Sequence, residues 1–286
     1  MTTPVSVDTA SAMAAAGLVP GTSPVPVRLP AAVALFQNRA RRLRELAPGH
    51  SLAPWLDFMA QLADVQGELV AQAAPEADPG HQWLTDLRSL VGRLRGRVPE
   101  TMVDILDRLD KAPAADLDGL AARLQGGEPK AEDLPAAPFA VAALQVAWTR
   151  HSSGLTAEAV QAPATAAHCP VCGSAPVAGV IHVGAESGLR YLHCGQCHTA
   201  WHHVRASCVA CGESKDLSYA SLAGEEAGVR AETCGDCKTY LKLFLGDKRP
   251  GLDPVADDLA TLAVDILVGE EGYQRLGINP YLLMVE

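Results

Sequence analysis

Between Leu29 and Ala47 apolar side chains return every three or four positions, at Leu29, Val33, Phe36, Ala40, Leu43 and Ala47. That period matches a helical turn and predicts an amphipathic helix ending before Pro48-Gly49. Arg39, Arg41, Arg42 and Arg44 flank the stripe and read as a solvated helix face. A second stripe, Leu52, Trp55, Met59, Leu62, Gln66 and Leu69, predicts the next helix, with Ser51 as its cap and Pro54 tolerated in the first turn. Gln66 is its one polar member. WLTDLRSLVGRLRGR, ETMVDILDRLDKA, ADLDGLAARLQ and PFAVAALQVAWTRHS carry the helical period onward between Pro and Gly clusters, so residues 28–160 read as an all-α domain. Residues 1–27, rich in Ala, Thr, Ser and Pro without a periodic face, are expected to form a disordered leader.

The pattern then changes. Helical periodicity gives way to short apolar pieces such as VAGVIHV and LRYLH, which suit small strands between turns. At Asp253 a helix is expected to resume, with Asp253 as cap, Pro254 at its first position, Val255, Leu259, Leu262 and Ile266 on one face, and Gly269 as the stop. Asp257 and Asp258 fall in its first turn, where their charge suits the helix dipole and requires no catalytic role.

All eight cysteines and six of the nine histidines lie between His168 and Cys237. Every cysteine belongs to a Cys-x-x-Cys pair: Cys169 and Cys172, Cys194 and Cys197, Cys208 and Cys211, Cys234 and Cys237. A two-residue spacer lets a tight turn aim both sulfurs at one point, with backbone N–H groups offsetting the thiolate charge. The first and third pairs read Cys-x-x-Cys-Gly and the second and fourth Cys-Gly-x-Cys-x-Thr, with 21 and 22 residues between the halves. GLRYLHCGQCHT and GVRAETCGDCKT show the repetition directly. One two-pair module is written twice, and each is expected to hold one metal: Cys169, Cys172, Cys194 and Cys197 the first, Cys208, Cys211, Cys234 and Cys237 the second. Four sulfurs suit zinc or a single iron, and spacing does not separate them. Four disulfides would need an oxidising compartment, and a thioredoxin-like site would not need four pairs in tandem. His182, His193, His198, His202 and His203 read as surface or supporting residues beside eight sufficient sulfurs, and Trp201 and Tyr240 as packing.

Charge narrows the classes further. The 286-residue chain has 33 acidic and 23 basic side chains, a formal net charge of −10, which does not describe a polyanion binder. Residues 166–245 hold six Lys or Arg against seven Asp or Glu, so the basic face of a zinc-ribbon nucleic-acid binder is not evident. The opening residues lack a positive n-region, and the stretch after Arg41-Arg42 is charged and broken by proline, so a cytoplasmic location is expected. The longest apolar run, LATLAVDILV, is too short to span a membrane and contains Asp265.

CPVCGSAPVAGVI, GLRYLHCGQCHTAWHHVRASCVACG, RAETCGDCKTYLKLF, DPVADDLATLAVDILVGEEGY and GINPYLL, with LFQNRARRLRELAPGHSLAPWLDFMAQLADVQ upstream, closely resemble the formate dehydrogenase accessory protein family, FdhE. The resemblance runs from about residue 28 to the end. It implies a multi-domain α+β chain: a helical N-terminal domain over 28–160, two tandem rubredoxin-like or zinc-ribbon-like modules over 166–206 and 207–245, and a C-terminal helix and tail over 253–286. It further implies iron in the modules, with zinc the alternative. The implied role is that of a non-enzymatic cytoplasmic factor that meets the catalytic subunit of respiratory formate dehydrogenase before export. A homo-oligomer is compatible with the sequence. A nucleic-acid-binding zinc ribbon and a dithiol or iron redox protein are the competing classes. Absence of a Gly-rich nucleotide fingerprint after a strand argues against formate turnover by the chain itself.

Overall fold

Apolar stripes become six helices in the N-terminal half: α1 (Ala32–Leu46), α2 (Ala53–Val70), α3 (Pro79–Leu94), α4 (Glu100–Lys111), α5 (Ala114–Gly126) and α6 (Ala137–Ser153). The computed structural model describes residues 24–72, 78–161, 167–183, 186, 188–222 and 228–282. Helix α2 packs against α1, α3 and α6. Helix α6 is buried on nearly every side, from Phe139 through Ala147, which makes it the axis of the bundle. Asp78 caps α3 by accepting from the Gly80 N–H at 2.9 Å, with Pro79 at the first helical position. Ser51 does not cap α2. The cap position is Leu52, whose N–H donates to His50 Nδ1 at 3.0 Å, while His50 Nε2 donates to the Ala260 carbonyl at 3.0 Å. One ring therefore starts a helix and ties it to the C-terminal part.

Of the expected leader, residues 1–23 lie outside the described residues, and Val27 does not belong to it. Val27 and Arg28 form β1, and Val27 is buried beside Leu192 and Trp201 because a branched apolar side chain fits the sheet edge there. The remaining strands are β2 (Pro176–Ile181), β3 (Arg190–Cys194), β4 (Ala200–His202), β5 (Leu217–Ala220), β6 (Val229–Cys234), β7 (Thr239–Leu245) and β8 (Gln274–Arg275). Each cysteine module contributes an antiparallel three-strand meander, β2-β3-β4 and β5-β6-β7. The meanders fuse into one sheet of order β1-β4-β3-β2-β7-β6-β5, because β2 of the first pairs in parallel with β7 of the second. Strand β8 pairs with β7 beside this path.

Gly179 explains how the fusion closes. It sits opposite Leu243 in the parallel pair, and a Cβ there would lie 2.5 Å from Leu243 Cδ2. Gly179→Val should therefore force the two modules apart and lower stability by roughly 1–3 kcal/mol, read from denaturant midpoints. Unchanged stability would show that the seam is not close-packed. A buried ion pair, Arg190 Nη1 to Glu232 Oε1 at 2.5 Å, spans the same seam from β3 to β6.

The C-terminal helix is two helices, α7 (Pro254–Leu259) and α8 (Leu262–Glu270). Asp253 caps α7 through the N–H groups of Val255 and Ala256. The break arises at Thr261, whose hydroxyl donates to the Asp257 carbonyl at 2.8 Å, and from Lys242, whose ammonium takes the Asp258 carbonyl at 2.9 Å. Past the break the buried face becomes Val264 and Val268, and Ile266 is 56% exposed, contrary to the single-face reading. Gly269 does not end α8 either. The helix continues to Glu270, and the positive φ falls at Gly272.

Asp257 and Asp258 do more than suit a dipole. Both are fully buried, Asp257 paired with Arg42 and Arg249 and Asp258 with Lys242 and Arg275. The arginines of α1 are consequently not one solvated face. Arg41 and Arg44 point outward, whereas Arg39 is buried and Arg42 reaches Asp257. Among the described residues, no helix is long and apolar enough to cross a membrane.

Candidate metal centres

Each Cys-x-x-Cys turn is closed by its own backbone. Gly173 and Gly212, in the left-handed region, donate N–H groups to the carbonyls of Cys169 and Cys208, both at 3.0 Å. Their counterparts in the second and fourth pairs are His198 and Lys238, non-glycine residues with φ of 60° and 56°. The Gln196 and Cys197 N–H groups point at Cys194 Sγ, at 3.3 and 3.4 Å. Thr199 Oγ1 lies 3.2 Å from Cys197 Sγ and Thr239 Oγ1 2.9 Å from Cys237 Sγ, hydroxyls that donate once the sulfurs are thiolates. The repeated Thr two residues past each fourth cysteine thus has a physical reason.

Strands β3 and β6 end in Cys194 and Cys234 and carry these turns to the ones at Cys169–Cys172 and Cys208–Cys211. The sulfurs of Cys169, Cys172, Cys194 and Cys197 all lie within 4.8 Å of one another, and so do those of Cys208, Cys211, Cys234 and Cys237. Cross-pair separations are 3.4 Å for Cys169–Cys197 and Cys172–Cys194, and 3.7 Å for Cys208–Cys237 and Cys211–Cys234. All eight cysteines are free thiols. A tetrahedral ion bound at about 2.3 Å from each sulfur sets its ligands about 3.8 Å apart, so both quartets fit such an ion.

The electrostatics of the first quartet point the same way. Hydrogen bonding from Cys169, then Cys194 and Cys197, holds the Cys172 thiol far below its ordinary range. Burial, together with the neighbouring thiols, pushes Cys194 and Cys197 well above it. Without a cation the buried cluster concentrates its negative charge on part of its sulfurs, and a cation is what allows all four to ionise. In the second quartet burial opposes the Cys237 charge, but the Thr239 hydroxyl and N–H draw its pKa down to about 7.

The two quartets differ in setting. The first is enclosed, its Cys194–Cys197 turn held by one face of α6: Gln145 Nε2 donates to the Gly195 carbonyl at 2.7 Å and Ser152 Oγ to the Cys197 carbonyl at 2.8 Å, with Thr149 between them on His198. Arg39 fixes the tautomer of His198, because guanidinium Nη1 at 2.9 Å from Nε2 can only donate. Nδ1–H therefore donates to Thr149 Oγ1 at 2.7 Å. Burial and then the Arg39 charge push the His198 pKa well down, keeping the ring neutral. Arg39 Nε pairs with Asp253 at 3.0 Å, so one chain of contacts joins α1, α6, the first turn and the cap of α7. The second quartet has Cys211 exposed and Cys237 half-buried.

Sequence reading singled out the eight cysteines but missed Arg39, Gln145, Thr149, Ser152 and Asp253 as their support. One signal was present: Gln145, Thr149 and Ser152 stand at i, i+4 and i+7, on one face of a helix that is apolar from Ala137 to Leu144.

Family models for the three parts of one protein match in order along the chain: FdhE, N-terminal, over residues 24–82 and 79–165; FdhE, central domain, over 168–205; and FdhE, C-terminal domain, over 206–282. The chain belongs to the FdhE family. A protein FdhE homolog of Edwardsiella ictaluri is 40% identical over 280 residues, 90% of this chain and 91% of that one. A homolog from Cronobacter sakazakii is 37% identical over the same shares. The crystal structure of the FdhE protein from Pseudomonas aeruginosa aligns with a TM-score of 0.81 at 34% identity, covering 90% of this chain and 98% of that chain. The helical N-terminal part followed by a sheet with two four-cysteine clusters is thus an FdhE architecture, shared over 90% of the chain.

Proposed function

We propose that this FdhE chain is a cytoplasmic, non-enzymatic accessory protein that binds the catalytic subunit of respiratory formate dehydrogenase before export and brings it to an active state. Two complete sulfur quartets in a member of this family are the observation that carries this reading. Cys169, Cys172, Cys194 and Cys197 would hold one ion, and Cys208, Cys211, Cys234 and Cys237 the other, with iron the first choice and zinc the alternative. Iron on four thiolates supplies one-electron chemistry, and zinc supplies a clamp. The protein's own part is to close the turns, donate N–H and O–H groups to the sulfurs and seat the first centre in the helical domain. Protein purified without oxygen is expected to show two metals per chain and, for iron, a red absorbance that bleaches on reduction.

Deleting the protein should leave the catalytic subunit synthesised but inactive, and tagged protein should retain that subunit from a cytoplasmic extract. Full formate dehydrogenase activity in the deletion strain, or turnover of formate by the purified chain alone, would overturn the reading.

A further inference from the structure

The internal repeat allows one module to be compared with the other, residue by residue. Pro176 pairs with Cys194 and Leu217 with Cys234, and after the bulge beyond Pro176 the next partners are Ala178 opposite His193 and Ser218 opposite Thr233. Strand β5 is therefore the counterpart of β2, and Tyr219, Ala220 and Ser221 stand where Gly179, Val180 and Ile181 stand. In the first module those three residues are covered on their outer edge by a parallel strand, Leu243, Phe244 and Leu245 of β7, and β2 is buried along its whole length. In the second module β5 ends the sheet, with no strand beyond it among the described residues, and Ser218, Tyr219 and Ala220 are exposed.

A groove of about 440 Å³ runs between β5 and α8, floored by Val264 and Val268 and flanked by Ala220, Leu222 and Leu267, while the Tyr219 hydroxyl donates to Glu232 at 3.1 Å on the other face of the sheet. Tyr219 and Leu267 are 49% and 47% exposed. An edge with free N–H and C=O groups beside an apolar groove is the arrangement that accepts an added strand, the backbone pairing and alternate side chains filling the groove. Charge narrows the occupant. No lysine or arginine lines the groove, whereas Glu270 and Glu271 stand exposed at the C-terminal end of α8, without an ion-pair partner among the described residues. The carbonyl end of that helix adds to their negative potential.

We propose that the outer edge of β5 receives an extended segment of the partner polypeptide as a parallel added strand, apolar at alternate positions and carrying Lys or Arg where it passes Glu270 and Glu271. This rests on the accessory-protein reading for the partner's identity. The strand itself is argued from the repeat, since β7 already occupies the equivalent edge of β2. The added strand would lie next but one to the strand ending in Cys234, so occupancy would be felt at the second cysteine quartet.

The metal-loaded full chain tests this with a labelled peptide of about ten residues that alternates Val and Thr and carries two Arg at one end or the other. Fluorescence anisotropy should show binding that weakens on the order of tenfold or more when alternate peptide amides are N-methylated, or when Arg is replaced by Glu. Leu267→Asp, an exposed position checked by circular dichroism, should weaken it similarly, and Glu270→Lys with Glu271→Lys should reverse the preference to the acidic peptide. Absence of binding, or equal binding of the N-methylated peptide, overturns the added strand. A concentration-dependent dimer abolished by Leu267→Asp assigns the edge to a second copy of this chain and overturns it too. Purified catalytic subunit forms the separate arm. If the peptide binds and the subunit does not, the surface stands and the partner assignment falls. If the subunit binds wild type and the Leu267→Asp variant equally, the surface falls and the accessory role stands.

Discussion

Replacing Cys194 and Cys197 together by serine is expected to take the chain from two metals to one and to unfold it at a markedly lower temperature. Losing two of four thiolates abolishes a tetrahedral site, and the binding free energy of such a site is folding free energy. The turn that carries these cysteines is also bonded to Gln145, Thr149 and Ser152 of α6, so the loss reaches the axis of the helical bundle. At roughly 2–4 °C per kcal/mol for a domain of 150–250 residues, even a few kcal/mol gives a shift that calorimetry resolves easily. The matching change at Cys208 and Cys211 should also remove one metal but leave the helical bundle close to its original stability, because in that quartet Cys211 is exposed and Cys237 half-buried. A chelator should accordingly empty the second quartet first. Metal analysis after partial chelation of each variant reads this directly. Simultaneous loss of both metals in either variant, or equal destabilisation by both, would show that the two centres are not independent.

The cysteine quartets were legible because their information is local and repeated: a two-residue spacer, a glycine and a threonine recur at fixed offsets, and nearly equal gaps of 21 and 22 residues reveal which pairs belong to one module. The helices were legible for a similar reason, since each stripe is contained in one segment. What could not be read was whatever depends on a distant partner. Arg39 looks like its neighbours Arg41 and Arg44 along α1, and only the fold brings Asp253 and His198 to it. The break between α7 and α8 depends on Lys242, a residue of β7 that takes carbonyls from the helix end. The fusion of the two meanders depends on a parallel pair between the first strand of one repeat and the last of the other, a pairing that repetition alone does not specify. In the sequence Gln66 is simply the polar member of a stripe. Its role appears only with the fold, where its amide donates to the Ala142 carbonyl and to Gln145, both at 3.0 Å.

Lys242→Met should be the most damaging substitution outside the cysteines. The Lys242 ammonium is fully buried between Asp258 and Asp265, at 2.7 Å from a carboxylate oxygen of each, and also serves the Asp258 carbonyl and Thr261. Methionine fits the apolar stem but leaves Asp258 with Arg275 as its remaining cation and leaves the helix break unsupported. Removing one member of a buried charge cluster costs about 3–5 kcal/mol, because the surviving charges keep their desolvation penalty. The pH dependence distinguishes this cause from simple misfit. Burial alone would raise the Asp258 pKa, but the Lys242 and Arg275 charges outweigh it and hold the carboxyl below its ordinary value. A carboxylate depressed on folding contributes stability that is fully present above its unfolded pKa, about 3.9, and is lost as pH falls through the lower folded value. Wild type should therefore lose part of its stability below about pH 4. In the variant the Lys242 share of that attraction is gone while Arg275 remains, so the carboxyl protonates more readily than in wild type and part of its penalty is relieved by acid. The stability difference between wild type and variant should thus be largest near neutrality and shrink as pH falls, measured by denaturant midpoints across that range. A difference that stayed constant with pH would assign the damage to packing and remove the charge argument.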